Sequence, residues 1–241
     1  KQKLARVSGA RLDLHERNNT VEISGTVEAC AKAKKYISFV QAQRVGPVTV
    51  TDDYDDDLTL MDVPNGCVGF VTGSGGNFLR TIEEEWGTLM FFIDYQSPGK
   101  GMGNGAPLER LAIFGPPWGR AGAQLKVMAA IESKLQGHYT TGVGNATSPE
   151  DGWAIDTLPL TGDELSFALG KEGSTRRKLA KASGCILEYI GNVAHMAGAK
   201  PERQRCRDYI TWLKQQRTGA VYIDITGRDD ATEVKVPREL T

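Results

Sequence analysis

The 241-residue sequence predicts an α+β fold built from repeated small domains, each in the order strand, helix, helix, strand, strand, helix. Three observations carry this. The motif LARVSG at residues 4–9 resembles LAKASG at residues 179–184, and after a small length change the match continues at a constant offset of 173 residues, pairing Gly25 with Gly198, Tyr36 with Tyr209, Arg44 with Arg217, Gly46 with Gly219 and Pro64 with Pro237. A register kept over that span marks a repeat. Second, Gly73-Ser74-Gly75-Gly76 precedes Gly170-Lys171-Glu172-Gly173 by 97 residues, each following a short apolar helical pattern and opening another helix. Third, the hydrophobic period switches between strand and helix in the same sequence around both turns.

Each element has its local reason. In the last repeat, residues 153–160 have the apolar content of a strand and residues 163–169 form a short helix. After the glycine turn Ser174 is placed to cap a helix through residue 182. Strands at 185–190 and 193–197 are joined by a Gly191-Asn192 hairpin turn. Pro201 then opens a helix with Cys206, Tyr209, Ile210 and Leu213 at core spacing. The first repeat shows only the later elements: strand 11–14, a turn at Asn18-Asn19, strand 21–24, and a helix with Cys30, Ala33, Ile37 and Val40 on one face. Its glycine turn would fall before residue 1, so the chain is expected to start mid-domain. The middle repeat reads as strand 58–63, turn Pro64-Asn65-Gly66, a short helix, the 73–76 turn, helix 77–86, strand 89–95, a glycine-rich loop at 97–107, strand 110–114 and a helix carrying Leu125, Met128, Ile131 and Leu135. Residues 140–151 read as a linker, looser than the short link from Arg44 to Leu58. Strands are expected at 221–226 and 233–236, as though a fourth repeat began there. The expected domains are 1–50, lacking its glycine turn, then 51–141, 152–218, and a connector with a first strand at 219–241.

Composition excludes several classes. Hydrophobic residues make up 40% and charged residues 24%, a soluble globular balance with no bilayer-length apolar run and no signal-peptide start. An intracellular protein, cytoplasmic or nuclear, is the expectation. Four scattered cysteines and three histidines offer no disulfide framework, metal spacing or catalytic pairing, so neither a metal nor a cofactor is expected. The run Asp52, Asp53, Asp55, Asp56, Asp57 lacks the later ligands of a calcium loop and reads as a solvated connection. The glycines of 97–107 lack the Lys-Ser/Thr ending of a P-loop, and the chain is not expected to be an enzyme. Net charge is −1, but it is unevenly spread. Lys plus Arg against Asp plus Glu is 9 to 4 over residues 1–50, 6 to 13 over 51–150 and 11 to 4 over 170–217, so a polyanion would favour the ends over the middle.

At the last glycine turn the chemistry points to an anion. Gly170 and Gly173 allow a tight bend, two helix ends bring unpaired N–H groups together, Lys171 adds a cation, and Arg176, Arg177 and Lys178 charge the first turn of the next helix. The bland alternative is a plain helix-helix turn.

Strand, helix, Gly-x-x-Gly, helix, strand, strand, helix is the order of the type I K-homology (KH) domain, and the chain resembles tandem copies of it, in the manner of multi-KH proteins of the vigilin type. Residues 12–35, ending in ISGTVEACAKAKK, also look like the second half of such a domain. The resemblance implies a three-stranded antiparallel sheet packed on three helices per domain. It also implies non-catalytic binding of single-stranded RNA, or DNA, with the glycine loop clamping about four nucleotides of backbone beside an apolar groove. On that reading the site comprises Gly170, Lys171, Glu172 and Gly173 with Arg176, Arg177 and Lys178, and the groove floor Leu165, Leu169 and Ile186, for which plain core packing is the alternative. Gly73, Ser74, Gly75, Gly76, Asn77 and Arg80 form a weaker candidate, because the loop is uncharged and Glu83, Glu84 and Glu85 follow it. In the first repeat only Lys1, Lys3 and Arg6 hint at the same surface. The competing function is a structural subunit that uses such repeats as a scaffold, with the acidic middle repeat docking other proteins.

Overall fold

The computed structural model describes residues 1–50, 56–94 and 108–237. The 97–107 loop, most of the aspartate run and the last four residues lie outside them.

The N-terminal segment consists of α1 (Gln2–Ser8), a hairpin of β1 (Arg11–His15) and β2 (Thr20–Ser24), and α2 (Val27–Ala42). Thr26 starts α2 by accepting the Ala29 N–H at 3.1 Å. The fully turned-in residues of α2 are Ala29, Ala33 and Tyr36, one step round from the expected face, and Cys30 is only half-buried. The helix has two neighbours to satisfy: its own hairpin, through Ala29 and Ala33, and the next sheet, through Tyr36.

That sheet belongs to the central unit: β4 (Leu58–Pro64), α3 (Asn65–Thr72), the glycine turn, α4 (Asn77–Trp86), β5 (Leu89–Asp94), β6 (Leu108–Phe114) and α5 (Pro117–Lys134). Strands β4 and β5 both run antiparallel to β6. A short strand that the sequence reading placed in a connection, β3 (Val48–Thr49), adds to the edge in parallel with β5, Val48 opposite Ile93. There is no separate turn at Pro64-Asn65-Gly66, because Pro64 already serves as the N-cap and Asn65 is helical.

The C-terminal unit repeats this order as β7 (Ala154–Pro159), α6 (Gly162–Leu169), a glycine turn, α7 (Ser174–Ser183), β8 (Ile186–Ile190), β9 (Val193–Gly198) and α8 (Lys200–Gln216), with strand order β7-β9-β8, all antiparallel. Thr161 and Glu164 form a capping box at the start of α6. Ser174 does not cap α7: it is the first helical residue, and Gly173, in the left-handed region, occupies the cap position.

The central and C-terminal sheets carry packing on both faces. The inner face of the central sheet packs Met61, Val63, Leu111 and Ile113 against Val71, Ile82 and Ile131 of its own helices. Its outer face is covered by α1 and α2, with Val7, Tyr36 and Phe39 against Leu58, Leu89, Phe91 and Phe114. The Phe39 ring lies 5.2 Å from Phe114 and 5.6 Å from Phe91. In the C-terminal unit Leu187, Met196 and Ile210 fill the inner core, while Ile186, Ile190 and Ala197 turn outward onto Leu125 and Met128 of α5. Twice, therefore, the last helix of one segment closes the open sheet face of the next.

The linker expected to be loose is pinned. Arg203 is fully buried, with its Nε on Asp156 at 3.0 Å and its two terminal nitrogens on the carbonyls of Gly152, Gly198, Ser148 and Glu150. A buried guanidinium whose donors are all used is a strong clamp, and one left unmatched would be costly. At the other end of the linker, Glu132 accepts from the N–H groups of Gly137 and Tyr139 and from Thr140. Burial pushes its pKa up, but these bonds outweigh burial and hold the carboxyl below its usual value.

Residues 221–226 and 233–236, expected as strands, form none. Their counterparts at the N-terminal junction have a sheet edge to pair with, and here no such edge lies beside them among the described residues. The tail is tethered instead by side chains: the Tyr209 hydroxyl donates to Asp230 at 2.7 Å, and Arg228 pairs with Asp208 at 2.9 Å and with Asp230 at 2.7 Å.

Candidate nucleic-acid interface

The two glycine turns have nearly the same backbone. Gly73 and Gly170 lie at φ 73, ψ 172 and φ 68, ψ 174, a region open in practice only to glycine. Gly75 and Glu172 follow at φ 58 and φ 53, then Gly76 and Gly173 at φ 81 and φ 74. The first glycine is needed for space as well. A Cβ on Gly73 would sit 2.7 Å from the Phe78 Cβ, and one on Gly170 would sit 2.8 Å from the Thr175 Cβ. Glu172 is thus a non-glycine residue in a left-handed conformation that the central turn fills with Gly75. Its carbonyl is held by Arg177, whose guanidinium donates at 2.8 Å.

Around the C-terminal turn the basic residues divide. Lys171, Arg177 and Lys178 are exposed, and the two lysines make no ion pair among the described residues. Arg176 turns inward to the Leu187 carbonyl at 2.8 Å and to Glu188 at 3.0 Å, and Glu188 also takes Lys126 of α5 at 3.1 Å. That arginine braces the edge strand and the junction between units. Of the expected groove floor, Leu169 is 38% exposed beside Gly173 and Leu165 is half-buried against the inner core. Ile186 is not with them: side chains alternate along a strand, and it points through the opposite face of the sheet onto Leu125. It is Leu187 that faces the helices.

At the central turn Gly73, Ser74, Gly75 and Gly76 bring no charge, Asn77 is exposed, and Arg80, an exposed counterpart of Arg177, leans over Gly76. The three glutamates that follow are spread round α4. Glu83 is buried, accepting the Met90 N–H at 2.8 Å and Lys3 at 2.7 Å, while Arg6 donates to its main-chain carbonyl at 3.1 Å. Lys3 and Arg6 are therefore spent on the contact between segments. Glu85 lies 3.8 Å from Lys126, and Glu84 is exposed.

Two further residues at these turns, absent from the sequence-based candidates, are Phe70 and Phe167, which are 97 residues apart and lie three residues before their glycine turns. They are 49% and 43% exposed on α3 and α6. The repeat offset itself was the signal that could have found them.

Among the described residues no cluster of His, Cys, Asp and Glu is placed to hold a metal, and no helix is long and apolar enough to cross a membrane.

Residues 58–128 match the family model described as "KH domain". Far upstream element-binding protein 2 of human and of rat is each 24% identical over 197 residues, covering 76% of this chain and 26% of the relative. The chain thus spans about a quarter of the length of these relatives. Among solved structures it is similar to a chain of the a/eIF2alpha–aDim2p–rRNA complex of Pyrococcus horikoshii OT3, at 15% identity and TM-score 0.33, covering 67% of this chain and 86% of that one. It is also similar to the first KH type I domain of human vigilin, at 14% identity and TM-score 0.26, covering 36% of this chain and 98% of that one. The family match thus falls on the central unit, from β4 into α5, as a KH domain.

Proposed function

We propose that this chain binds single-stranded RNA without catalysis, as KH-type units in tandem over residues 1–50, 51–141 and 152–218, with the turn Gly170-Lys171-Glu172-Gly173 as its main phosphate clamp. The observation that carries the reading is the pairing of a glycine-shaped turn at a helix start with three exposed cations, Lys171, Arg177 and Lys178. Phosphate groups favour helix N-termini, and cations beside them add sequence-independent affinity. Leu169 supplies apolar surface next to the turn, where a base would lie. The relatives named for binding a far upstream element are consistent with a nucleic-acid ligand. The central turn, equal in shape but without lysine, is the weaker contact.

Titration of a labelled single-stranded RNA by fluorescence anisotropy tests this. Lys171→Asp should weaken binding by about tenfold, the worth of one charge-assisted contact, and should flatten the salt dependence by about 0.7 units of slope. Unchanged affinity and slope would remove the turn from the interface. The same titration with single-stranded DNA shows which sugar is preferred.

A second reading, a scaffold subunit in a larger assembly, is favoured by the way each sheet is sealed by the preceding segment, which packs the units on one another. Ribonuclease separates the two. An assembly held by protein contacts keeps its size after treatment, and one held by RNA does not.

A further inference from the structure

On the C-terminal unit Leu179, Tyr209, Trp212, Leu213, Val221 and Ile223 line a groove of about 530 Å³. With the repeat offset of 173, or 175 before the hairpin, they correspond to Leu4, Tyr36, Phe39, Val40, Val48 and Val50. All six of those counterparts pack on the outer face of the central sheet. The difference is burial: Tyr36 is 0% and Val50 7% exposed, whereas Ile223 is 37% exposed and Tyr209 half-buried. The correspondence reaches beyond the apolar residues. Tyr36 donates its hydroxyl to Asp57, just before strand β4, and Tyr209 donates to Asp230, which is 173 residues after Asp57. Asp230 is held at about 2, below its usual value, by Arg228 and then by Tyr209, while Arg228 itself stacks 4.8 Å from the Trp212 ring. The connector thus keeps the tyrosine–aspartate tether of the first junction, and the groove is the corresponding surface in a more exposed form.

We propose that this groove is a docking surface for the apolar outer sheet face of a further KH domain, seated as the central sheet is seated on α1 and α2. Residues 221–223 would then add in parallel to that sheet's edge, as Val48–Thr49 add to β5. Residues 231–237, aligned with β4 by the same offset, would supply its first strand. The occupant is argued from continuity with a filled interface in the same chain. A second copy of the chain does not fit the role, because its central and C-terminal sheets already carry packing on both faces. This inference stands independently of the RNA reading.

The experiment compares hydrogen exchange of the chain with that of the chain extended after Asp230 by a second stretch of residues 58–139, which carries the needed sheet face. The amides of Val221 and Ile223 should exchange rapidly in the chain and slow by about tenfold or more in the extended protein, as expected when a frayed segment joins a sheet. Trp212→Ser in the extended protein should restore rapid exchange, with an unchanged far-ultraviolet spectrum showing that α8 persists. Equal exchange in the two proteins, or protection that survives Trp212→Ser, overturns the proposal. So does protection in the unextended chain that grows with its concentration, because it would make a second copy the occupant.

Discussion

The turn at residues 73–76 and the turn at residues 170–173 agree in φ to within about 7° at their three positions of positive φ and differ in residue identity at the two middle positions. Gly73 and Gly170 both sit near φ 70, ψ 173, and both helices start immediately afterwards. One loop then presents Ser74 and a third glycine, and the other presents Lys171 and Glu172. Shape is set by the outer glycines and by the residue packed under the first of them, Phe78 or Thr175. Charge is set by the positions that shape leaves free. Two turns of one form can therefore differ in what they hold, and likeness of fold does not carry likeness of affinity.

The comparison is broken most forcefully at the shared glycine. Gly170→Ala and Gly73→Ala should each cost roughly 2–5 kcal/mol, from an unfavourable backbone region and a Cβ with no room. Denaturant unfolding measures this, and a cost below that of an ordinary surface change would show that the turns are less alike than their torsions. A smaller effect separates the third positions. Glu172→Gly should stabilise the protein by about 1 kcal/mol, because a left-handed conformation suits glycine better, and Gly75→Glu should lose a similar amount, since both positions are exposed. The smallest change moves charge alone. Ser74→Lys should give the central turn a phosphate contact and steepen the salt dependence of RNA binding by about 0.7 units of slope. An unaltered slope would place some other part of α4, such as exposed Glu84, in control of that surface.

Much of the fold was legible because it rests on local rules. The order of elements follows from apolar period, from Pro201 just inside a helix start and from glycines at the turns, each readable within a few residues. The misreadings share a cause. Ile186 looked like a groove residue because it is apolar and close to the turn, yet one step along a strand reverses the face, and its partner Leu125 is far away in sequence. The strands expected at 221–226 and 233–236 have suitable residues, but a strand needs an edge to pair with, which composition does not reveal. Arg176 and Arg177 are adjacent and chemically identical. Only the position of Glu188 on the neighbouring strand makes one a brace and leaves the other exposed.

By itself the sequence determined the repeat, the β-α-α-β-β-α order and the two glycine turns, because torsional preference and hydrophobic period act over a few residues. Only the tertiary structure decided which charges remain for a ligand and which surfaces are already occupied. Lys3 meets Glu83 across 80 residues of sequence, Arg203 fixes a linker 51 to 55 residues before it, and α1, α2 and α5 seal sheets that follow them. A side chain can be spent only once, and where it is spent depends on what the fold brings beside it.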